Sequence, residues 1–130
     1  MYNSSDVMVA ALVGTYFVGI LLLSVIYAIG LWRIFTKAGH AGWKAFIPFY
    51  NIYIMQTITF GQDKGIWFLL IFLPPVTGIY MIYLHYNFAR AYGLSVGASI
   101  AYIFFFELMN FYLGFSEDVS YQGPQNFFVN

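Results

Sequence analysis

The stretch KAGHAGWKAFIPFYNIY, residues 37–53, decides the fold. It holds Lys37, His40 and Lys44, glycines at 39 and 42, then Trp43 and Pro48, and it opens an uncharged run that ends at Phe60. Pro is tolerated in the first turn of a helix, where its missing N–H has no intrahelical partner, so a helix is expected from near Phe46 or Ile47. Running to Phe60 it covers about 22 to 24 Å, against a hydrocarbon core of about 30 Å. The segment 46–60 therefore either crosses a membrane with help from its flanks or turns back inside it.

Composition frames that choice. The 130 residues are 62% hydrophobic and only 8% charged, where soluble domains carry about 25% charged residues. So few charges cannot cover a soluble surface, and the chain reads as one integral membrane domain. Zero net charge without a basic stripe argues against nucleic acid as a partner. The absence of cysteine removes disulfides, thiol catalysis and thiolate metal sites. The first apolar stretch has no cationic region before it and is too long for a signal peptide, so it is read as a retained span.

Four apolar segments follow the chain: 7–32, 46–60, 66–88 and 94–115, then a polar tail over 116–130. The expected fold is an all-α integral membrane protein with four transmembrane segments. The second is short and proline-started, and the third is kinked at Pro74 and Pro75, where two amide donors are lost. Arg33, Lys37 and Lys44 make the first connector basic, which places it inside and the N-terminus outside. The cation count is four against one whether 46–60 crosses or re-enters, and four crossings with both ends outside is the expected arrangement. Small residues four apart, Ala10 with Gly14 and Ser24 with Ala28, permit close helix approach in lipid. PFYNIYIM (48–55) also echoes PVTGIYMI (75–82) at an offset of 27, a pattern that two related half-units or a shared way of entering a helix would both produce.

Among candidate chemical groups, Glu107 is the costliest, lying near the middle of the last span, where a carboxylate is penalised and is usually functional or paired. Asn110 sits one turn away on the same face, and His85 or Arg90 on the preceding span are its candidate partners. Together these four form a possible ion or proton site, set against a buried, neutral Glu107 in a protein interface. The lysines lie in loops and no serine elbow accompanies them, so no catalytic residues are expected. Adjacent Glu117 and Asp118 lack metal-ligand spacing, and no metal or other cofactor is expected.

Several of these residues carry a resemblance. The box Lys37, Ala38, Gly39, Gly42, Trp43, Ile47, Pro48, Tyr50 and Asn51, then LPPVTGIY, FARAYGLSVG and LGFSEDVSYQGP, is similar to an uncharacterised family of small polytopic bacterial membrane proteins. The resemblance covers residues 31–124 and implies a four-helix membrane domain. Some relatives carry a signal-peptidase label, but this chain has no Ser-Met-x-Pro box and no membrane-adjacent lysine base. It departs from the pattern at Gly78, where relatives often repeat the Asn of the first box, and at Glu107. The expected role is a non-enzymatic accessory, scaffold or assembly subunit of a bacterial envelope complex, multi-pass in the inner membrane. Its partners would be the lipid bilayer and a membrane protein or a second copy. The alternative is a small channel or transporter using Glu107.

Overall fold

The computed structural model describes residues 2–128, so the last two positions of the expected tail lie outside it. Helix α1 runs Ser4–Lys37, α2 Tyr50–Phe60, α3 Val76–Ala91 and α4 Val96–Phe115. Two 3-10 segments, Gly42–Phe46 and Gln62–Phe72, precede α2 and α3. The regular structure among the described residues is all helical, with no strand. Two helices, α1 and α4, are long and apolar enough to cross a membrane. The four expected segments therefore do not appear as four spanning helices.

Helix α1 begins on a capping box in which Asn3 accepts from the Asp6 amide and Asp6 reaches back to the Asn3 amide. It is longer at both ends than the expected 7–32, and its 34 residues extend about 51 Å. The expected proline-started helix over 46–60 begins instead at Tyr50. Residues before a proline avoid the helical region, and Ile47 is extended (φ −96°, ψ 112°). The expected kinked span over 66–88 is two elements. Leu73, also before a proline, is extended (φ −103°, ψ 97°), and the chain reverses at Pro74 and Pro75 instead of bending through them.

Contacts along the elements show the reversals. Residue 53 packs on Phe68 and residue 49 on Phe72, so the second 3-10 segment runs back along α2 from Gly61. Tyr80 then meets Gln56 and Tyr83 meets Phe60, so α3 runs parallel to α2. At about 2.0 Å per residue the eleven 3-10 residues descend about 22 Å, which matches the climb of about 24 Å that α3 makes with sixteen. The 3-10 conformation is unusual at this length, and here it stretches a short strip of sequence over that distance.

Helix α4 is itself folded back. Phe105 is non-helical (φ −125°, ψ 31°), and the Tyr102 hydroxyl donates to Asn110 Oδ1 across the bend at 2.6 Å. Before the bend α4 packs on α3, with Tyr102 against Phe88 and His85. After it, α4 runs parallel to the end of α1: Phe106 on Tyr27, Asn110 on Gly30, and Gly114 against Gly30 and Arg33. A Cβ at Gly114 would lie 2.8 Å from the Gly30 carbonyl oxygen, so this close crossing requires glycine.

All four helices thus bring their C-terminal ends to one end of the molecule, called the base below. Helix C-termini carry unpaired carbonyls and partial negative charge. Here each is capped by another element. Tyr92 Oη donates to Ile34 O of α1 and the Gln125 amide to Thr59 O of α2. The Gln122 amide donates to Ala91 O of α3. Lys37 Nζ donates to Leu113 O of α4 and to Ser116 O and Val119 O of the tail, at 2.6 to 2.7 Å. The expected polar tail is thus packed onto the helix ends, with Phe127 buried against Phe60, Trp67 and Tyr83. It also emerges beside the basic connector, where Lys37 reaches Ser116 O and Val119 O.

The 27-residue echo is a structural repeat with a different register. At an offset of 26, Pro48 matches Pro74. Ile47 N to Lys44 O pairs with Leu73 N to Leu70 O, Tyr50 N to Pro48 O with Val76 N to Pro74 O, and Asn51 N to Ile47 O with Thr77 N to Leu73 O. Each proline frees a carbonyl six residues before a polar side chain that recovers it: Asn51 Nδ2 donates to Ala45 O and Thr77 Oγ1 to Ile71 O. Thr77, not Gly78, is thus the counterpart of the box asparagine.

Replacing Lys37 with Met leaves three carbonyls without their cation. Hydrogen bonds to charged groups contribute about 1.5–3 kcal/mol each, and because this ammonium is only half-buried the expected loss is about 2–3 kcal/mol in total. Thermal unfolding in mild detergent, with faster protease cleavage of the tail, measures it.

Candidate functional site

Of the expected site residues, Glu107 and His85 come together and the other two do not. Both line a cavity of about 910 Å³ between the middle of α1, the Pro48 turn, α3 and the bend of α4. Tyr27, Ser24 and Asn51 supply the remaining polar groups, among walls of Ile, Leu, Phe and Met. Asn110 faces away, fully buried, with Oδ1 held by Tyr102 and Nδ2 unpartnered among the described residues. Arg90 lies at the base, where its Nη1 donates to Leu94 O at 2.7 Å.

Glu107 has neither a hydrogen bond nor a salt bridge among the described residues, where the one ion pair is Lys64 with Asp63 at 2.8 Å. That pair is local: Lys64 holds the Asp63 carboxyl below its usual range by its hydrogen bond and charge. Glu107 follows Phe106, which packs on Tyr27, ten residues and about 15 Å along α1 from Lys37. His85 Nδ1 lies 2.7 Å from Met81 O. A carbonyl only accepts, so Nδ1 carries the proton and Nε2 of the neutral ring is left as an acceptor. Phe106 and Tyr102 hold the imidazole plane at 5.0 and 5.8 Å between ring centres. Asn51 spends its amide on Ala45 O, which leaves its oxygen free to accept.

The family box resolves into structural parts. Gly39 turns the chain at φ 86°, and a Cβ at Gly42 would collide with the Trp32 indole. Trp43, Tyr50 and Tyr53 form a stacked aromatic row. Pro48 forms the turn and Asn51 repairs it. Lys37 is the clamp at the base. Beside it, Arg33 lies over the Phe115 ring at 5.3 Å. Burial, then the charge of Lys44, pushes the His40 imidazole below its ordinary value. No group of three His, Cys, Asp or Glu suited to a metal occurs among the described residues. Sequence reasoning missed Tyr27, Tyr102 and Thr77. A Thr three residues after Pro74, as Asn51 is after Pro48, was the available signal for the last of these.

The two tyrosines on α1 and α4 separate a structural hydroxyl from a cavity one. Tyr102→Phe leaves buried Asn110 without its donor and is expected to cost about 1–3 kcal/mol. Tyr27 has only the weak acceptor Met55 Sδ at 3.7 Å, so Tyr27→Phe is expected to cost under about 0.5 kcal/mol. Paired thermal unfolding curves distinguish them.

The family of unknown function DUF5684 matches residues 43–124, and the chain belongs to it. The match takes in both proline hairpins, α4 and most of the tail, and leaves out α1. No curated protein and no solved structure matches the chain.

Proposed function

We propose that this member of DUF5684 is a non-enzymatic integral membrane protein of the bacterial inner membrane that acts as a scaffold or accessory subunit, with α1 as its docking helix. The supporting observation is a contrast among glycines. A Cβ at Gly30, Gly42 or Gly114 would meet packed neighbours within 3 Å, whereas at Gly14 and Gly19, in the middle of α1, nothing lies within 4 Å, as is also true of Gly78 and Gly97 in the first turns of α3 and α4. Glycine inside a helix costs about 1 kcal/mol relative to alanine. At positions 14 and 19 no contact within the chain repays that cost. A second helix, from a partner or another copy, would, because small residues let helices approach closely in lipid. Residues 4–18 of this helix are all exposed.

In this reading α1 alone crosses the bilayer, its start outside. The base lies at the cytoplasmic interface. The two proline hairpins and the bent α4 enter from that face and return to it. Charge distribution supports this placement over four crossings. Arg33, Lys37, Lys44, Lys64 and Arg90 all lie toward the base, giving five cations against none. The hairpin turns instead expose Phe46, Ile47, Phe49, Phe72, Leu73, Phe104 and Phe105, residues suited to hydrocarbon. The carbonyls freed at the prolines are satisfied by Asn51 and Thr77, as backbone at membrane depth requires.

The chain has no cysteine, so single cysteines report cleanly. Gln62→Cys and Ser120→Cys are expected to label from the cytoplasmic face only and Asn3→Cys from the outside only. Labelling of Gln62→Cys from outside would restore four crossings. For the scaffold role, Gly14→Leu is expected to abolish recovery of co-purifying subunits or of the self-associated form in mild detergent, with thermal stability unchanged. Ion or proton flux in proteoliposomes that disappears in Glu107→Gln would overturn the scaffold reading in favour of a channel.

A further inference from the structure

We infer that the cavity beside Glu107 binds a primary ammonium carried on an alkyl chain. The lining is rich in acceptors and contains no Lys or Arg. The Glu107 carboxylate has no partner among the described residues, His85 Nε2 is left free by the Nδ1 contact to Met81, and Asn51 keeps its oxygen. A ligand that presents several N–H donors and a positive charge complements all three, whereas an anion finds no cationic side chain in the lining and faces the unpaired carboxylate.

The rest of the cavity selects the body of the ligand. Ile20, Leu21, Ile82 and Ile103 form apolar walls, and the volume of about 910 Å³ lies within the range of small-molecule sites. Leu21, Leu23, Phe46 and Ile82 are exposed at its rim, so the cavity opens sideways. A chain in the hydrocarbon phase can thus enter laterally while its head reaches Glu107. In a low-dielectric site an ammonium against an unpaired carboxylate also removes the cost of burying either charge alone. An aminophospholipid headgroup or a free alkylamine would supply the same chemistry.

The test uses the full chain in a mild non-ionic detergent at pH 7, with dodecylammonium, dodecanol and dodecanoate as probes of equal chain length. Dodecylammonium at a hundredfold excess over its Kd is expected to raise Tm by about 10 °C, and the alcohol and carboxylate by less than about 1 °C. The shift is expected to vanish in Glu107→Gln, and also in Ala28→Phe, which fills the cavity and leaves the carboxylate in place. Equal shifts for dodecanol and dodecylammonium on the unsubstituted protein overturn the inference without relying on any variant, as does an ammonium shift that survives in Glu107→Gln. Lyso-phosphatidylethanolamine then separates the sources: a matching shift assigns the site to lipid, and a shift with dodecylammonium alone assigns it to a free amine. None of these readouts depends on whether α1 docks a partner.

Discussion

Four helix C-termini gathered at one end set the electrostatic problem that the base of this molecule solves. Each terminus presents unpaired carbonyls and about half a negative charge. Without donors they would repel one another and expose polar backbone beside apolar surface. Lys37 supplies the most concentrated answer, with all three ammonium hydrogens on carbonyls of α4 and the tail. Tyr92 and the tail amides of Gln122 and Gln125 complete it. The tail is ordered because its donors are needed there. Arg90 and Arg33 stand at the same end, the first on Leu94 O and the second over the Phe115 ring.

Away from the base the governing constraint reverses. The turns at Pro48, at Pro74 and at the α4 bend expose large apolar side chains and must not leave bare carbonyls. The two proline turns solve this identically, with a polar side chain three residues after the proline reaching back six residues. The bend of α4 solves it differently, by a Tyr102 to Asn110 bridge that ties its two arms together. Glu107 sits within a few residues of that bend, inside the cavity the bend helps to enclose.

Much of this was legible from residue types. Helix content, the long first helix, the breaking power of Pro74 and Pro75 and the costly place of Glu107 in an apolar segment all follow from local rules. So does the choice posed by residues 46–60. What local rules could not supply was direction. Whether the chain after a proline continues or reverses depends on long-range pairing, such as Tyr53 on Phe68, and charge counting was blind to it because both options gave four against one. The repeat register was also hidden. Side-chain identity favours an offset of 27, whereas the backbone hydrogen bonds that define the turn recur at 26. Spacing puts Asn110 on the face of Glu107 and chain order offers Arg90 as its partner, but the bend at Phe105 and the hydrogen bond to Leu94 O send each elsewhere.

The shared orientation of the helices bears on how such a chain enters a membrane. If the base faces the cytoplasm, no Lys or Arg has to pass through hydrocarbon at any stage. The only charged side chain carried across is Asp6, at the start of α1. Everything after Lys37 can be inserted from the side on which it is synthesised, by partitioning apolar turns inward while the polar ends stay in water. This is folding against an interface, a far smaller energetic barrier than moving a loop with Asp63 and Lys64 across the bilayer.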